Sequence, residues 1–446
     1  MKAIRKPFTH KLQIIKAAVK ELQNTNFYAI IVILLMLVGF FTVSFAISSL
    51  MESSVIKNTG EILTGAYARS GSARDIQAAV DWVVTNGSIG NVYIPQGTFN
   101  LVEPGEPWVT VNIPAGVNVF GAFTERGANG QVVEWKTILV MPYDVPGPLG
   151  NSPFWFRITG NGDPNKPSRF SDIKLVGYRT FDPNSTTLHS GISIKNVVDF
   201  RVDHCYFEHT CGGGISTFGL NCRGVIDHCF FVNHHGHVES AIANCTVDYG
   251  ICFYREYGDV WEDDVSKVLG QYTDYTIFIE DCYFEKWRHC TAANAGAHYV
   301  IRYSTIKNDY GFGSIDSHGW GDWDGTKVVM VGTRATEIYG CTIIDAVESP
   351  WATFIRGGAG IAFGNTVGGG TYTTFLYFSN EADPEVLKCW VHDWYIWNNT
   401  MLGGTTEIIE YDPNNQITEG VDYFLYQPGW YEPYPYPHPL TLEATP

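Results

Sequence analysis

The chain has 446 residues, 45% hydrophobic and 17% charged, with a formal net charge of −17. That balance excludes a disordered chain, and it excludes a nucleic-acid partner because nothing would neutralise phosphates. Forty-six glycines and 14% aromatic residues predict many turns and short strands, an all-β protein.

Residues 1–26 hold six basic residues (Lys2, Arg5, Lys6, Lys11, Lys16, Lys20) against Glu21, a local +5 that leaves −22 for the rest. From Ala29 to Met51 there is no charge. About 20 such residues, rising 1.5 Å each, cross a bilayer core of roughly 30 Å. Residues 27–51 are therefore expected to form a transmembrane helix or uncleaved signal anchor. The basic leader would be cytoplasmic and everything beyond about Glu52 extracellular, at the cell membrane. Ser44-Phe45-Ala46 also fits a small-x-small cleavage site, and the alternative is secretion after signal cleavage. Residues 52–72 read as a polar linker.

Ile76, Ala79, Val80 and Val83 recur at i, i+3, i+4, i+7 and predict a one-sided helix over 74–85, ended at Asn86-Gly87. Asn91 to Ile94 reads as a strand, followed by a turn at Pro95-Gln96-Gly97-Thr98. A helix followed by Val92-Tyr93-Ile94-Pro95-Gln96-Gly97-Thr98-Phe99 resembles the opening of the pectate-lyase superfamily of right-handed parallel β-helices. The resemblance implies one such β-helix over 73–427, single-stranded and of about ten coils. It also implies a cap helix before the first coil and a ligand groove along the third strand of each coil.

Repeats within the sequence point the same way. Octads align at 200–207, 224–231, 277–284, 299–306, 336–343, 360–367 and 394–401, and IKLVGYRT at 173–180 reads as an earlier one. Their sixth residues are Cys205, Cys229, Cys282, Ser304, Cys341, Asn365 and Asn399, at intervals of 24, 53, 22, 37, 24 and 34. The unit is 22–24 residues, and the longer steps are one unit with an insert, or two units. Third residues (Val202, Ile226, Ile279, Ile301, Ile338, Ala362, Ile396) and eighth residues (Phe207, Phe231, Phe284, Ile306, Ile343, Val367, Met401) should point inward. They would stack about 4.8 Å apart. Asn at the sixth position can hydrogen-bond along the stack, while Cys and Ser fit the space. The Pro/Tyr-rich tail 428–446 cannot form ladders and is expected to cover the last coils.

Four of the ten cysteines sit at the sixth position, which favours a ladder of buried thiols; Cys211–Cys222 or Cys245–Cys252 could bridge locally. Asn86, Asn184, Asn244 and Asn398 begin glycosylation sequons, in keeping with an extracellular location.

The third strands are placed at Gly214–Ser216, His237–Glu239, His289–Thr291, Ser314–Asp316 and Phe354–Arg356. With the middle residue inward, Glu239, His289, Asp316 and Arg356 would point out. The densest patch is Ser314 to Gly325, with Asp316, His318, Asp322 and Asp324 beside Trp320 and Trp323. Carboxylates and histidines so grouped suit proton transfer, which makes Asp316, His318, Asp322 and His289 the catalytic candidates. Arg356, two coils beyond Asp316 in this register, Trp320, Trp323 and Glu239 are the substrate-binding candidates. Asp316, Asp322 and Asp324 would be the ligands of a calcium ion, the one cofactor the patch suggests. A solvated glycine-rich loop is the bland alternative for the same residues. His234, His235 and His237 form a lesser metal-type cluster. Polygalacturonases carry a Gly-His-Gly and an Arg-Ile-Lys in order, and this chain has neither. The expected partner is an extracellular polysaccharide or cell-surface glycan, with the membrane held through the N-terminal helix. The expected function is that of a polysaccharide lyase or hydrolase; the alternative is a non-catalytic structural or glycan-binding adhesion protein.

Overall fold

The computed structural model describes residues 55–56, 62–127, 130–141, 154–177, 190–210, 213–233, 249–255, 264–307, 313–346, 349–405, 407–414 and 416–442. The basic leader and the apolar run at 27–51 lie outside the described residues. Among the described residues no helix is long and apolar enough to cross a membrane.

Within the unit Ile56–Pro446 the chain winds through three sheets in turn. Sheet I takes the first half of each octad, as in Phe200–Asp203, Gly224–Asp227 and Thr276–Glu280. Sheet II takes the second half, as in Tyr206–Glu208, Phe230–Val232 and Tyr283–Glu285. Sheet III takes the strand that follows, as in Gly213–Phe218, Tyr249–Tyr254 and His289–Asn294. Neighbours within each sheet are successive coils, paired in parallel. This is a parallel β-helix. Among the described residues sheet I has 13 strands and sheets II and III have ten each.

The expected inward stack is present. Val202, Ile226, Ile279, Ile301, Ile338, Ala362 and Ile396 lie opposite one another in sequence, and all are buried. Phe207, Phe231 and Phe284 stack face to face at 4.7 and 4.8 Å. Each such side chain taken from water contributes about 1.5–3 kcal/mol, so like-on-like stacking of the octads accounts for the rod. Each long interval is a single coil carrying an insert, because every octad pairs with the next.

The bend between sheets I and II falls one residue before the sixth octad position. The fifth octad residue takes positive φ in every coil: His204 53°, His228 53°, Asp281 54°, Tyr303 50°, Gly340 65°, Gly364 65° and Asn398 52°. One left-handed residue turns the chain while keeping the third and eighth side chains inward. The sixth residues do more than fit. Each thiol points at a carbonyl of the preceding coil, Cys229 Sγ at Val202 O (3.6 Å) and Cys341 Sγ at Ile301 O (3.5 Å). Ser304 Oγ accepts from Cys282 N, and Asn365 Oδ1 accepts from Cys341 N. Asn365 Nδ2 donates to Asn399 Oδ1 at 2.9 Å, the expected ladder. The cysteines among the described residues are all buried; Cys222 and Cys252 carry free thiols, and Cys211 and Cys245, the other halves of the two local bridges, lie outside the described residues.

Three other expectations change. The 52–72 linker contains a strand, Ile62–Tyr67, which pairs with Gly90–Tyr93 as part of sheet I. The segment 173–180 is out of register as an octad: Phe170 lies opposite Val202, so the repeat there starts at Ser168. The tail covers the last coils as expected, Trp430 against Tyr395 and Tyr431 against Trp397 and Phe363, but it extends well beyond them. It runs back along the outer face of sheet I, where Tyr431 donates to Glu337, the Tyr434 and Pro435 carbonyls accept from Arg302, and Glu280 accepts from His438 N. It reaches Arg201, whose Nη1 lies 3.5 Å from Leu440 O. The fixed charges on that face give it partners beyond the last coils.

Helix α1, Ala73–Asn86, closes the N-terminal end with Ala73, Ile76, Ala79, Val80 and Val83 buried. Ser72 caps it by accepting from Asp75 N. Gln77 pairs with both backbone groups of Asn112, on the terminal strand of sheet III (Val111–Pro114). That occupies an edge that could otherwise recruit another chain.

Candidate functional site

The outward column of sheet III decides which side chains can meet. The register places Asp316 opposite Phe354, Phe354 opposite Tyr377, and Tyr377 opposite Glu410. The third strand of the coil before His289 is Tyr249–Tyr254, not His237–Glu239. Glu239, with His234, His235 and His237, lies outside the described residues. Arg356 is one coil beyond Asp316 rather than two.

Asp316 is fully buried, and cations surround it. Arg356 grips it with both arms, Nε to Oδ1 at 3.1 Å and Nη2 to Oδ2 at 2.7 Å. His318 Nε2 lies 2.9 Å and His289 Nε2 3.5 Å from Oδ2. Burial alone would raise the Asp316 carboxyl, but His289, His318 and Arg356 outweigh it and hold it well below the usual carboxylate range. His289 donates Nδ1–H to Gly313 O at 2.7 Å, and burial pushes its pKa down to about 4. For His318 burial also opposes charge, yet Asp316 and then Glu381 prevail and hold it up at about 9.

Glu381 completes the group from the solvent side. Its Oε1 accepts from Arg356 Nη1 at 2.8 Å; its Oε2 lies 3.3 Å from His318 Nδ1 without hydrogen-bond alignment. Side-chain exposure grades outward, from Asp316 at 0% to Arg356 16%, His318 21% and Glu381 28%. Beside this cluster lies an aromatic ledge. Trp351 stacks on Tyr377 at 3.9 Å, Phe354 packs against both, and Trp351 Nε1 donates to Glu410 Oε2. All three rings are half-buried.

Of the sequence candidates among the described residues, Asp316, His318, His289 and Arg356 meet, and the others do not. Asp322 accepts from the Trp320 indole at 2.8 Å, and that tryptophan is 46% exposed. Asp324 caps its own turn, accepting from Thr326 and Lys327. Trp323 belongs to a short hairpin, its backbone opposite Val328. The calcium assignment therefore fails: Asp316 is already neutralised by three cationic or imidazole groups, and Asp324 is committed to a turn. Among the described residues no group of three or more metal-ligating side chains converges. Nor is Asp316 a base, since a carboxylate so stabilised has little affinity for a proton. The carboxylate at the rim is not Asp322 but Glu381. Sequence reading missed Glu381, Trp351, Phe354 and Tyr377; the aromatic density of 351–378 was the available signal.

No protein-family model matches the chain, and no curated protein matches it by sequence. Solved structures similar to it include ORF18 of Geobacillus virus E2 (TM-score 0.43, 10% identity, 78% of this chain and 60% of that one). Two others are the A-module of the mannuronan C-5 epimerase AlgE4 of Azotobacter vinelandii (0.38, 13%, 79% and 98%) and PfbA, a surface adhesin of Streptococcus pneumoniae (0.41, 9%, 80% and 96%). The chain thus spans 60% of the length of the virus protein. At these identities the likeness is one of fold, and the activities in those names belong to those proteins.

Proposed function

We propose that this is a cell-surface β-helix protein, held in the membrane by 27–51, that engages an extracellular polysaccharide along the outer face of sheet III. The observation that carries the reading is adjacency. A charged rim (His318, Arg356, Glu381) and an aromatic ledge (Trp351, Phe354, Tyr377) occupy neighbouring coils of one outward face. Flat rings offer the apolar faces on which sugar rings pack, and charged groups fix hydroxyls or anionic substituents. The topology follows from the +5 leader and the uncharged run after it.

Screening the purified full chain against a polysaccharide panel tests this. Trp351→Ala should weaken the best binder about tenfold with the melting temperature unchanged, the size expected for one stacked ring. Equal binding by wild type and Trp351→Ala would remove the ledge from the site.

A catalytic reading has one observation in its favour. His318 is charged, partly exposed and beside the carboxylate Glu381. It can protonate a leaving oxygen while Glu381 takes up the proton of a water. New reducing ends, lost in His318→Gln, would establish a hydrolase; ultraviolet-absorbing unsaturated products would establish a lyase. Binding without either product leaves the adhesion role.

A further inference from the structure

Glu381 is held in an unusual way for a rim residue. Its two oxygens bridge Arg356 and His318, one well aligned at 2.8 Å and one at 3.3 Å without alignment. Arg356 and His318 are both positioned from below by the fully buried Asp316. The pair thus forms a preorganised fork facing solvent, and Glu381 fills it as an oxyanion from outside would. We propose that Glu381 is an internal stand-in for the ligand, occupying an oxyanion cradle made by Arg356 and His318, and that a carboxylate or sulfate group of the bound polysaccharide displaces it. This rests on the polysaccharide reading and names the ligand class for the same site.

Three further observations support it. First, Glu381 is the acceptor on the outer side of the fork: its Oε1 takes the Arg356 Nη1 donor, while Asp316 takes Nε and Nη2 from below. Rotating Glu381 away frees that guanidinium arm, which attracts an anion. Second, the backbone around Glu381 is held by hydrogen bonds independent of its side chain. Glu381 N donates to Arg356 O, Asp383 N donates to Gly321 O, and Val391 N donates to Asn380 Oδ1. The exchange therefore needs a rotamer change and no loop movement. Third, at 28% exposure the Glu381 end of the network is reached by water, so its hold on Arg356 is screened and exchangeable, unlike that of Asp316. The Phe354 ring under the Arg356 guanidinium, 4.8 Å from its centroid, keeps the fork in place when Glu381 leaves.

The experiment compares wild type with Glu381→Gln, using the full chain and three soluble probes: polyglucuronate, dextran sulfate and neutral dextran. Glutamine can still accept from Arg356, so the fold is retained; a melting curve checks this. The proposal expects Glu381→Gln to bind one or both anionic polymers about tenfold more tightly, with a steeper salt dependence, and to leave dextran unchanged. Tightening towards polyglucuronate alone assigns a carboxylate; tightening towards dextran sulfate alone assigns a sulfate. Unchanged or weaker anionic binding, while a panel glycan binds and is lost in Trp351→Ala, overturns the stand-in and leaves the glycan site standing. Absence of binding by either protein to any glycan overturns both.

Discussion

Sheets I and III carry the same device on their outer faces and finish it differently. On sheet I, Arg169 grips Asp203, Arg201 grips Asp227 and Arg302 grips Glu280, each pair bridging adjacent coils at 2.6–2.8 Å. On sheet III, Arg356 grips Asp316 in the same way. The tail reaches the Arg201 and Arg302 pairs on sheet I, adding carbonyls for Arg302 and an N–H for Glu280. The sheet III pair instead opens outward through a graded rim that ends at Glu381. Paired charge between coils is thus a structural motif of this rod, and an ion pair by itself says nothing of function. What distinguishes the sheet III network is that it ends in the partly exposed carboxylate Glu381 beside an aromatic ledge.

The contrast between the two faces should break most visibly at the tail. Deleting 430–446 strips several hydrogen bonds to buried charges on sheet I, at about 1–3 kcal/mol for each group left unsatisfied. Denaturant unfolding should show a loss of several kcal/mol with polysaccharide binding intact. Loss of binding without loss of stability would mean that the tail serves the site instead.

Single arginine substitutions sharpen the contrast. Arg302→Ala leaves Glu280 buried and unpaired, costing about 3–5 kcal/mol. Arg356→Ala should cost less, about 1–3 kcal/mol, because His318 and His289 still face Asp316. It should abolish binding of anionic glycans. Equal stability costs with binding unchanged would reduce the sheet III cluster to scaffold.

The smallest effect is in pH. His318 is held at about 9, above its unfolded value near 6.5, so its stabilisation is complete below pH 6.5 and fades as pH rises through 9. His289 is held down at about 4, so its contribution is complete above pH 6.5 and fades as pH falls towards 4. The melting temperature should peak near pH 6.5, with the alkaline limb falling by roughly 5 °C and flattening in His318→Gln. An unchanged alkaline limb in that variant would show that His318 is not held by Asp316.

The sequence was legible where geometry is local. An octad spans two strands and a one-residue corner, so positions three and eight keep their spacing in every coil, and their burial could be read directly from Val202 or Phe231. The sheet III strand is separated from its octad by loops of variable length, so its register was not readable. That is why Glu239 was placed in the column, why Arg356 fell one coil too far, and why IKLVGYRT slipped once the insert at 178–189 followed it. Asp316, His318 and His289 were found because their chemistry is dense in sequence. Glu381 was not, because it reaches the cluster from a loop two coils beyond Asp316, and nothing in the run Glu381, Asp383, Glu385 marks which carboxylate turns back to it.

The returning tail has a consequence for how the rod is made and lost. Synthesis proceeds from the N-terminal end, and each coil can stack on the one before it. The tail's contacts join residues as far apart as Arg201 and Leu440, 239 positions, so they close only after every coil between them is wound. Contacts made last are absent from the folding barrier and slow the reverse reaction. The tail therefore acts as a clasp in time as well as in space: a half-made rod can still unwind, whereas a finished one must first release its own end, giving the protein persistence against heat and proteases that its equilibrium stability alone would not set.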